Sequence, residues 1–264
     1  MASTPIKIAI IDMYDDTSNL GMTCIVAIIK DWSKKRDIEM QYQIFPLRHK
    51  GEIPDHSFDI YLSTGGPGSP IDSEGSAWDN LYVNWLQDMR LIKKPVLLIC
   101  HSFQIACRHF NFGNVCLRKS TQIGVLPVHP LLDDPIFTNL NDPFYTLESR
   151  LFQIIEPNDE NINALGAKII ALEKHRPHVP LERAIMAIKF SDNMYGVQFH
   201  PEGEKNILLG FFNEVGMKKN IIDKFGAQKW EVIINNLNDP EKLPKTHAHF
   251  IPNFLNLAIG NQLN

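Results

Sequence analysis

The chain has 264 residues, of which 44% are hydrophobic and 21% are charged, and its formal net charge is −4 at pH 7. This composition is typical of a soluble globular protein, and the scattered Lys and Arg residues argue against binding to nucleic acid or to an anionic membrane surface. The four cysteines form no CxxC pair and show no zinc-ligand spacing, so the sequence predicts no metal site, and we expect no cofactor.

The N-terminal segment does not predict export. It lacks the charged region and the apolar core of a signal peptide, and no apolar run approaches the roughly 18 residues of a membrane helix. We therefore expect the protein in the cytoplasm, where thiols stay reduced and can act as nucleophiles.

Short apolar runs alternate with helical patterns over about the first 130 residues. The runs predict buried strands at 6–11, 38–45, 58–63 and 96–99. Ser18 or Asn19 is placed to cap a helix that reaches about Trp32, and apolar residues from Trp78 to Ile92 recur with the spacing of a second helix. Such alternation predicts an α/β fold with an open, mainly parallel sheet flanked by helices.

The pattern changes after about residue 115. Strand-like segments follow at 115–117, 123–128, 144–147, 168–172, 184–190 and 195–199. They either add antiparallel strands to the edge of the sheet or form a small second sheet. Beyond Gly203 the pattern predicts helices at about 206–215, 221–225, 229–237 and 250–259. We predict an α/β domain over residues 1–203 and a helical C-terminal extension, 204–264, packed on the same domain.

Two features of the extension have ordinary structural interpretations. The apolar residues Leu208, Leu209, Phe211 and Phe212 are expected to pack on the sheet. His247 and His249 form an HxH pair, which we interpret as surface histidines rather than as metal ligands.

A glycine-rich segment, STGGPGSP at residues 63–70, follows the third predicted strand. Glycines allow a backbone to bring its N–H groups close to a ligand, so such a loop can hold an anion or a developing oxyanion. A plain turn explains the same residues equally well.

Cys100 stands where the predicted strand 96–99 meets a following helical segment. A cysteine at the junction of a buried strand and a helix resembles a nucleophile elbow. The helix N-terminus there would favour the thiolate form of the side chain. The alternative is a buried structural cysteine.

A third segment, YGVQFHPE at residues 195–202, places His200 and Glu202 on one face of an extended chain. A carboxylate beside an imidazole fixes its tautomer and stabilises its protonated form, as a general base requires. One such pair among ten histidines is weak by itself, but all three segments end predicted strands. Ligands bind at that edge of open α/β sheets.

Together, the GGPGSP loop, the PVLLIC elbow with Gln104 and the GVQFHPE segment resemble the class I glutamine amidotransferases, over about residues 6–203. The resemblance implies that Cys100, His200 and Glu202 form a catalytic triad that hydrolyses the side-chain amide of glutamine through a thioester. It also implies that the backbone N–H groups of Gly66 and His101 form the oxyanion hole.

Further positions follow from the same resemblance. Gly68 and Gln104 match residues that hold the α-amino and α-carboxylate groups of glutamine, and Phe152 matches a further substrate contact. Relatives that use the ammonia deliver it to a synthetase, so the chain either works with a separate synthetase subunit or acts alone as a hydrolase.

Four residues depart from the family pattern. Leu98 and Ser102 replace glycines that flank the nucleophile, and Arg150 and Leu151 change a segment expected in the wall of the glutamine pocket. Three interpretations therefore remain open. The protein is a glutaminase, a hydrolase of another γ-glutamyl or amide substrate, or a non-catalytic binding or regulatory protein that keeps the fold.

Overall fold

The computed structural model describes residues 4–17, 19–176, 178 and 181–260. The strands are β1 (Ile6–Asp12), β2 (Met40–Pro46), β3 (Ile60–Ser63), β4 (Val96–Ile99), β5 (Asn114–Pro130), β6 (Phe144–Ile155), β7 (Lys168–Glu173), β8 (Ile185–Lys189) and β9 (Met194–Val197). The helices are α1 (Leu20–Arg36), α2 (Leu47–Lys50), α3 (Ala77–Leu91), α4 (His101–His109), α5 (Asp159–Ala164), α6 (Lys205–Asn213), α7 (Val215–Phe225), α8 (Ala227–Asn238) and α9 (Leu243–Gly260).

These strands form one sheet, in the order β2-β1-β3-β4-β9-β8-β7-β5-β6. The five strands from β2 to β9 pair in parallel, and β8, β7, β5 and β6 continue the sheet in antiparallel pairs. The second half of the chain thus extends the same sheet instead of forming another. The predicted α/β fold, an open sheet flanked by helices with a helical C-terminal extension, is confirmed, and the sheet is mixed.

Strands β5 and β6 are longer than the sequence pattern predicts. The structure joins the predicted strands 115–117 and 123–128 into one strand, with an irregular register between Leu117 and Gln122. Strand β6 continues to Ile155, well past residue 147. Its buried face carries Glu148 and Arg150, which form an ion pair of 2.8 Å. The charged pair on the inner face hides the apolar alternation by which a strand is normally recognised.

Helix boundaries follow local chemistry. Asn19 caps α1, because its side chain accepts a hydrogen bond from the Met22 amide; Ser18, the other candidate cap, lies outside the described residues. Helix α9 begins at Leu243 rather than at residue 250. Pro244 is compatible with this start, because the first turn of a helix needs no N–H partner there.

Apolar side chains cover both faces of the sheet. One face packs against α1 and α9 through residues such as Trp32, Phe250 and Phe254. The other face packs against α3 and α4, with Tyr82 and Phe103 fully buried. Because β1, β3, β4 and β9 pair in parallel, their carboxyl ends meet at one edge of this sheet.

A third apolar cluster connects the extension to β5. It joins Leu208 and Phe212 of α6 and Ile233 of α8 to Val125. Gly124 allows this approach, since a Cβ atom there would lie 2.8 Å from Ile233 Cγ1. The division of the chain at residue 203 stays a prediction. No helix among the described residues combines the length and the apolar character that a membrane span requires.

Candidate active site

Cys100 lies at a sharp turn between β4 and α4. Its backbone has φ 50° and ψ −97°, a region that residues with a Cβ atom rarely adopt. The turn is held by a hydrogen bond of 2.7 Å from the Cys100 amide to the Val197 carbonyl of β9. The side chain is 6% exposed and stands at the N-terminus of α4. This is the geometry of a nucleophile elbow.

Ser102, one of the departures from the family pattern, strengthens the turn. Its hydroxyl accepts a hydrogen bond of 2.8 Å from the Ile99 amide and lies 2.9 Å from the Ser63 carbonyl, to which it can donate. The side chain thus connects the ends of β3 and β4. Leu98, the other departure beside the nucleophile, is fully buried in the cluster with Phe103. It does not line the cavity beside Cys100.

His200 and Glu202 form a close pair at the end of the segment that follows β9. The distance from His200 Nδ1 to Glu202 Oε1 is 2.8 Å, and Glu202 is 2% exposed. Burial disfavours the imidazolium, but the Glu202 carboxylate and the Cys100 sulfur outweigh it and hold the pKa of His200 well above its ordinary value. A hydrogen bond of 2.9 Å from the His200 amide to the Leu147 carbonyl fixes this segment against β6.

The glycine-rich loop at residues 63–70 packs against the His200 ring. A Cβ atom at Gly65 would lie 2.8 Å from His200 Cε1, and one at Gly66 would lie 2.3 Å from the Met13 carbonyl oxygen. Arg48 supports the loop by donating from Nη1 to the carbonyl oxygens of Met13, at 3.1 Å, and Pro67, at 2.5 Å. Only glycine fits at both loop positions, so the backbone approaches the His200 ring directly.

The comparison with protein families agrees with this geometry. The family profile described as "Glutamine amidotransferase class-I" matches residues 27–207, more than half of the chain. The chain belongs to the class I glutamine amidotransferase family. No curated protein sequence matches it.

Solved structures show the same fold. A glutamine amidotransferase from Thermotoga maritima has a TM-score of 0.67 and 15% identity, covering 97% of this chain and 99% of that one. A putative subunit of GMP synthase from Thermoplasma acidophilum has a TM-score of 0.60 and 17% identity, covering 99% and 98%. The glutaminase domain of Trypanosoma brucei CTP synthase, with bound acivicin, has a TM-score of 0.57 and 13% identity, covering 95% and 94%. At these identities the likeness shows a shared fold alone.

In this member of the family, four of the predicted site residues line one open cavity of about 550 Å³. They are Gly66, Cys100, His200 and Glu202. The sequence segments that carry them lie far apart along the chain, and the sheet edge brings them together.

The other predicted site residues do not line that cavity. Gln104 is 3% exposed, and its amide nitrogen lies 3.3 Å from Gln198 Oε1. Phe152 lies on the buried face of β6, and Gly68, with φ +95°, adjoins Arg48.

His101 points into the protein beside Trp78, with a ring-centroid distance of 6.4 Å, and its Nε2 atom is buried without a partner. Burial, together with the charges of Arg48 and Arg108, lowers the pKa of His101 to about 3. The imidazole is therefore neutral near pH 7.

Arg150 lies outside the cavity wall where the family pattern had placed it. Its side chain is 1% exposed and bonds to Glu148, away from the cavity. Leu147 and Ser149, which alternate with these residues along β6, line the cavity instead. The alternation of a strand therefore turns the unusual charge inward and leaves a small hydroxyl beside the site.

Tyr14 is a site residue that the sequence analysis missed. It follows the carboxyl end of β1, and its hydroxyl would lie 3.3 Å from a Cβ atom at Gly65. Burial, followed by the charges of Glu202 and Cys100, raises the pKa of Tyr14 well above its ordinary value. Its place after a buried strand, at the same edge as the other segments, is the signal that points to it.

The C-terminal extension also contributes to the cavity. Leu208, Phe211 and Phe212 line it from α6. These residues were expected to pack on the sheet, and Leu208 and Phe212 do pack against Val125 while also facing the cavity. The extension thus forms an apolar wall opposite the sheet edge.

Proposed function

We propose that the protein hydrolyses the side-chain amide of glutamine through a thioester at Cys100, releasing ammonia and glutamate. The observation that carries this proposal is the meeting of a strained cysteine, a His200–Glu202 pair and the Gly66 backbone in one cavity. A protein that only bound a ligand would have no need for this combination.

The residues support a two-step mechanism. His200 takes the thiol proton, and the sulfur of Cys100 attacks the amide carbon to form a tetrahedral intermediate. The N–H groups of Gly66 and His101 stabilise its oxyanion. His200 then protonates the nitrogen, the carbon–nitrogen bond breaks, and ammonia leaves a glutamyl thioester.

Water completes the reaction. His200 removes a proton from water, whose oxygen attacks the thioester carbon, and the sulfur leaves as the Cys100 thiolate while glutamate is released. Glu202 orients the imidazole and stabilises its protonated form throughout. The raised pKa of His200 favours an imidazolium next to a thiolate.

Two related structures bear on the fate of the ammonia. They are the glutaminase domain of a CTP synthase and a putative subunit of GMP synthase. Their similarity supports delivery of the ammonia to a separate synthetase, although a chain that acts alone as a hydrolase would use the same chemistry.

One observation favours a second candidate, the hydrolysis of a larger γ-glutamyl amide. The cavity volume of about 550 Å³ falls in the range of pockets for drug-sized ligands, roughly 300–1,000 Å³. Among the described residues that line it there is no Lys or Arg to pair with an α-carboxylate, while α6 supplies Leu208, Phe211 and Phe212. Such a wall suits an amide with an apolar substituent on its nitrogen.

The test of the first candidate is glutamate release from glutamine, together with labelling by a diazo-ketone analogue of glutamine mapped by mass spectrometry. We expect release and labelling in the wild-type protein and neither in Cys100→Ala. Cys116→Ala is the matched control, because Cys116 is half-buried and lies outside the cavity. If a general thiol reagent does not select Cys100 either, the protein is a binding protein that keeps the fold.

The second candidate is tested with γ-glutamyl alkylamides and anilides. Phe211→Ala should lower kcat/KM for these amides by about 10-fold, the effect of losing an apolar contact, and leave glutamine hydrolysis unchanged. Phe225→Ala, in α7 and outside the cavity, is the control. Turnover of glutamine alone would reject the second candidate and keep the first.

A further inference from the structure

A second cavity, of about 360 Å³, lies beside β5 and the end of β7, and it shares no lining residue with the cavity at Cys100. Its described lining is rich in positive charge. The cationic side chains are Arg118, Lys119, Lys174, Arg176 and Arg183. The carboxylates are Glu173 and Glu182. This local excess of positive charge occurs in a chain whose net charge is −4.

Arg118 is the ordered centre of this cavity. Its side chain is 7% exposed, with Nη1 2.7 Å from Gln153 Oε1 and Nη2 3.0 Å from Glu173 Oε1. Its Nε atom is buried and has no partner. The guanidinium is therefore held in place by Gln153 and Glu173, and its unsatisfied Nε–H donor costs free energy.

Glu173 compensates only part of the surrounding charge. Its Oε1 atom is shared by Arg118, at 3.0 Å, and Arg176, at 2.5 Å, and Arg150 Nη2 lies 3.6 Å away. Arg183 donates to the Glu173 backbone carbonyl rather than to a carboxylate. Of these four arginines, Arg150 has a second carboxylate partner, Glu148.

The remaining carboxylate of the lining is also engaged elsewhere. Glu182 Oε1 accepts a hydrogen bond of 2.9 Å from the Glu156 amide. Like charges act on Arg118 in the cavity and on Lys229, which does not line it. Burial and the charge of Arg150 lower the pKa of Arg118, and burial and the charge of Lys174 lower the pKa of Lys229.

We propose that this cavity binds a phosphate-bearing small molecule, with Arg118, Arg176 and Arg183 on the phosphate oxygens. The planar guanidinium fork matches a phosphate and donates two parallel hydrogen bonds to it. A group with about two negative charges would offset the excess that Glu173 leaves, which a single carboxylate would not. The volume is sufficient for a phosphate ester of nucleotide size.

The test is calorimetric titration of the full chain with inorganic phosphate, pyrophosphate and AMP at constant ionic strength. We expect saturable binding and a rise in melting temperature with ligand concentration. Binding of all three probes would mean that the phosphate group alone is recognised, and binding of AMP alone would mean that the organic part is recognised as well. No saturable heat with any probe in the millimolar range would overturn the proposal.

Two variants locate the site. Arg176→Gln and Lys119→Gln are preferred to a change at Arg118, because both arginines contact Glu173 but the Arg118 side chain is 7% exposed and that of Arg176 is 32% exposed. Arg176→Gln should raise Kd by about 10-fold, the effect of losing one charge-assisted hydrogen bond. Arg36→Gln, an exposed arginine at the end of α1, is the matched control and should bind like the wild-type protein. Unchanged affinity in both cavity variants would place the ligand elsewhere and reject this cavity.

Discussion

The Nδ1 atom of His247 lies 3.0 Å from the backbone carbonyl oxygen of Glu202. With Nδ1 protonated, His247 of α9 donates a hydrogen bond to the segment that carries the His200–Glu202 pair. The same helix is anchored in the core by Phe250 and Phe254, which are 0% and 1% exposed. The end of the chain therefore helps to hold Glu202 in place, and this histidine does more than occupy the surface.

His247→Ala should lower kcat for glutamate release by about 3- to 10-fold, because one hydrogen bond that orients the Glu202 backbone is lost. KM should change little, since His247 does not line the cavity. His249→Ala is the control, because His249 lies two residues away in the same helix and makes no hydrogen bond to Glu202. Equal kinetics in the two variants would contradict a positioning role for His247.

Gly65→Ala should reduce kcat by about 100-fold, because a new methyl group would displace the His200 ring. The Cβ atom would lie 2.8 Å from His200 Cε1, and the ring cannot move away without breaking its 2.8 Å contact with Glu202. Gly210→Ala in α6 is the control, since nothing lies within 4 Å of its Cβ position. Activity that survives Gly65→Ala would show that His200 tolerates displacement and would weaken the proposed mechanism.

The segments that line the cavity at Cys100 were predictable because each one ends a strand. Short-range patterns identify β1, β3, β4 and β9, and the topology of an α/β sheet then brings Cys100 and His200 to one edge. Glycines in a strand-end loop and a His–x–Glu pair are also local signals. These parts of the site depend on only a few neighbouring residues each.

The cavity wall was not predictable in the same way. Whether Gln104 faces a substrate or Gln198 depends on a contact between α4 and the segment after β9, distant in the chain. Arg150 lies inside only because Glu148 and Glu173 are there to pair with it. In both cases a contact between distant elements decides where the side chain points, and the local sequence pattern does not. The same holds for the apolar residues of α6, whose place in the cavity wall depends on their packing against β5.

Glu202→Gln should move the alkaline limb of the kcat/KM profile to lower pH, because the neighbouring carboxylate raises the pKa of His200. In the wild-type protein His200 keeps its proton up to that raised pKa, so activity falls only above it. Without the negative charge the imidazolium loses its proton at lower pH. The profile is measured as glutamate release across neutral and alkaline pH.

Glu204→Gln is the matched control for this profile. Glu204 belongs to the same segment, but its carboxylate caps α6 by accepting from the Ile207 amide at 2.9 Å. The alkaline limb of the Glu204→Gln profile should coincide with that of the wild-type protein. If the alkaline limb of the kcat/KM profile does not move in Glu202→Gln, a group other than His200 determines it.

His101 should make the protein less stable as the pH falls below about 6.5. Its pKa is lowered to about 3 by burial and by Arg48 and Arg108, so the unfolded chain binds a proton that the folded protein excludes. The stability from this group is complete above the unfolded pKa of about 6.5 and is lost progressively towards pH 3, at a cost of about 2 kcal/mol by pH 5. His101→Leu, measured by urea unfolding at pH 7 and pH 5, should remove that part of the pH dependence. His56→Leu, at an exposed loop position, should keep it, and parallel stability curves for His101→Leu and wild type would show that His101 is not the group that titrates.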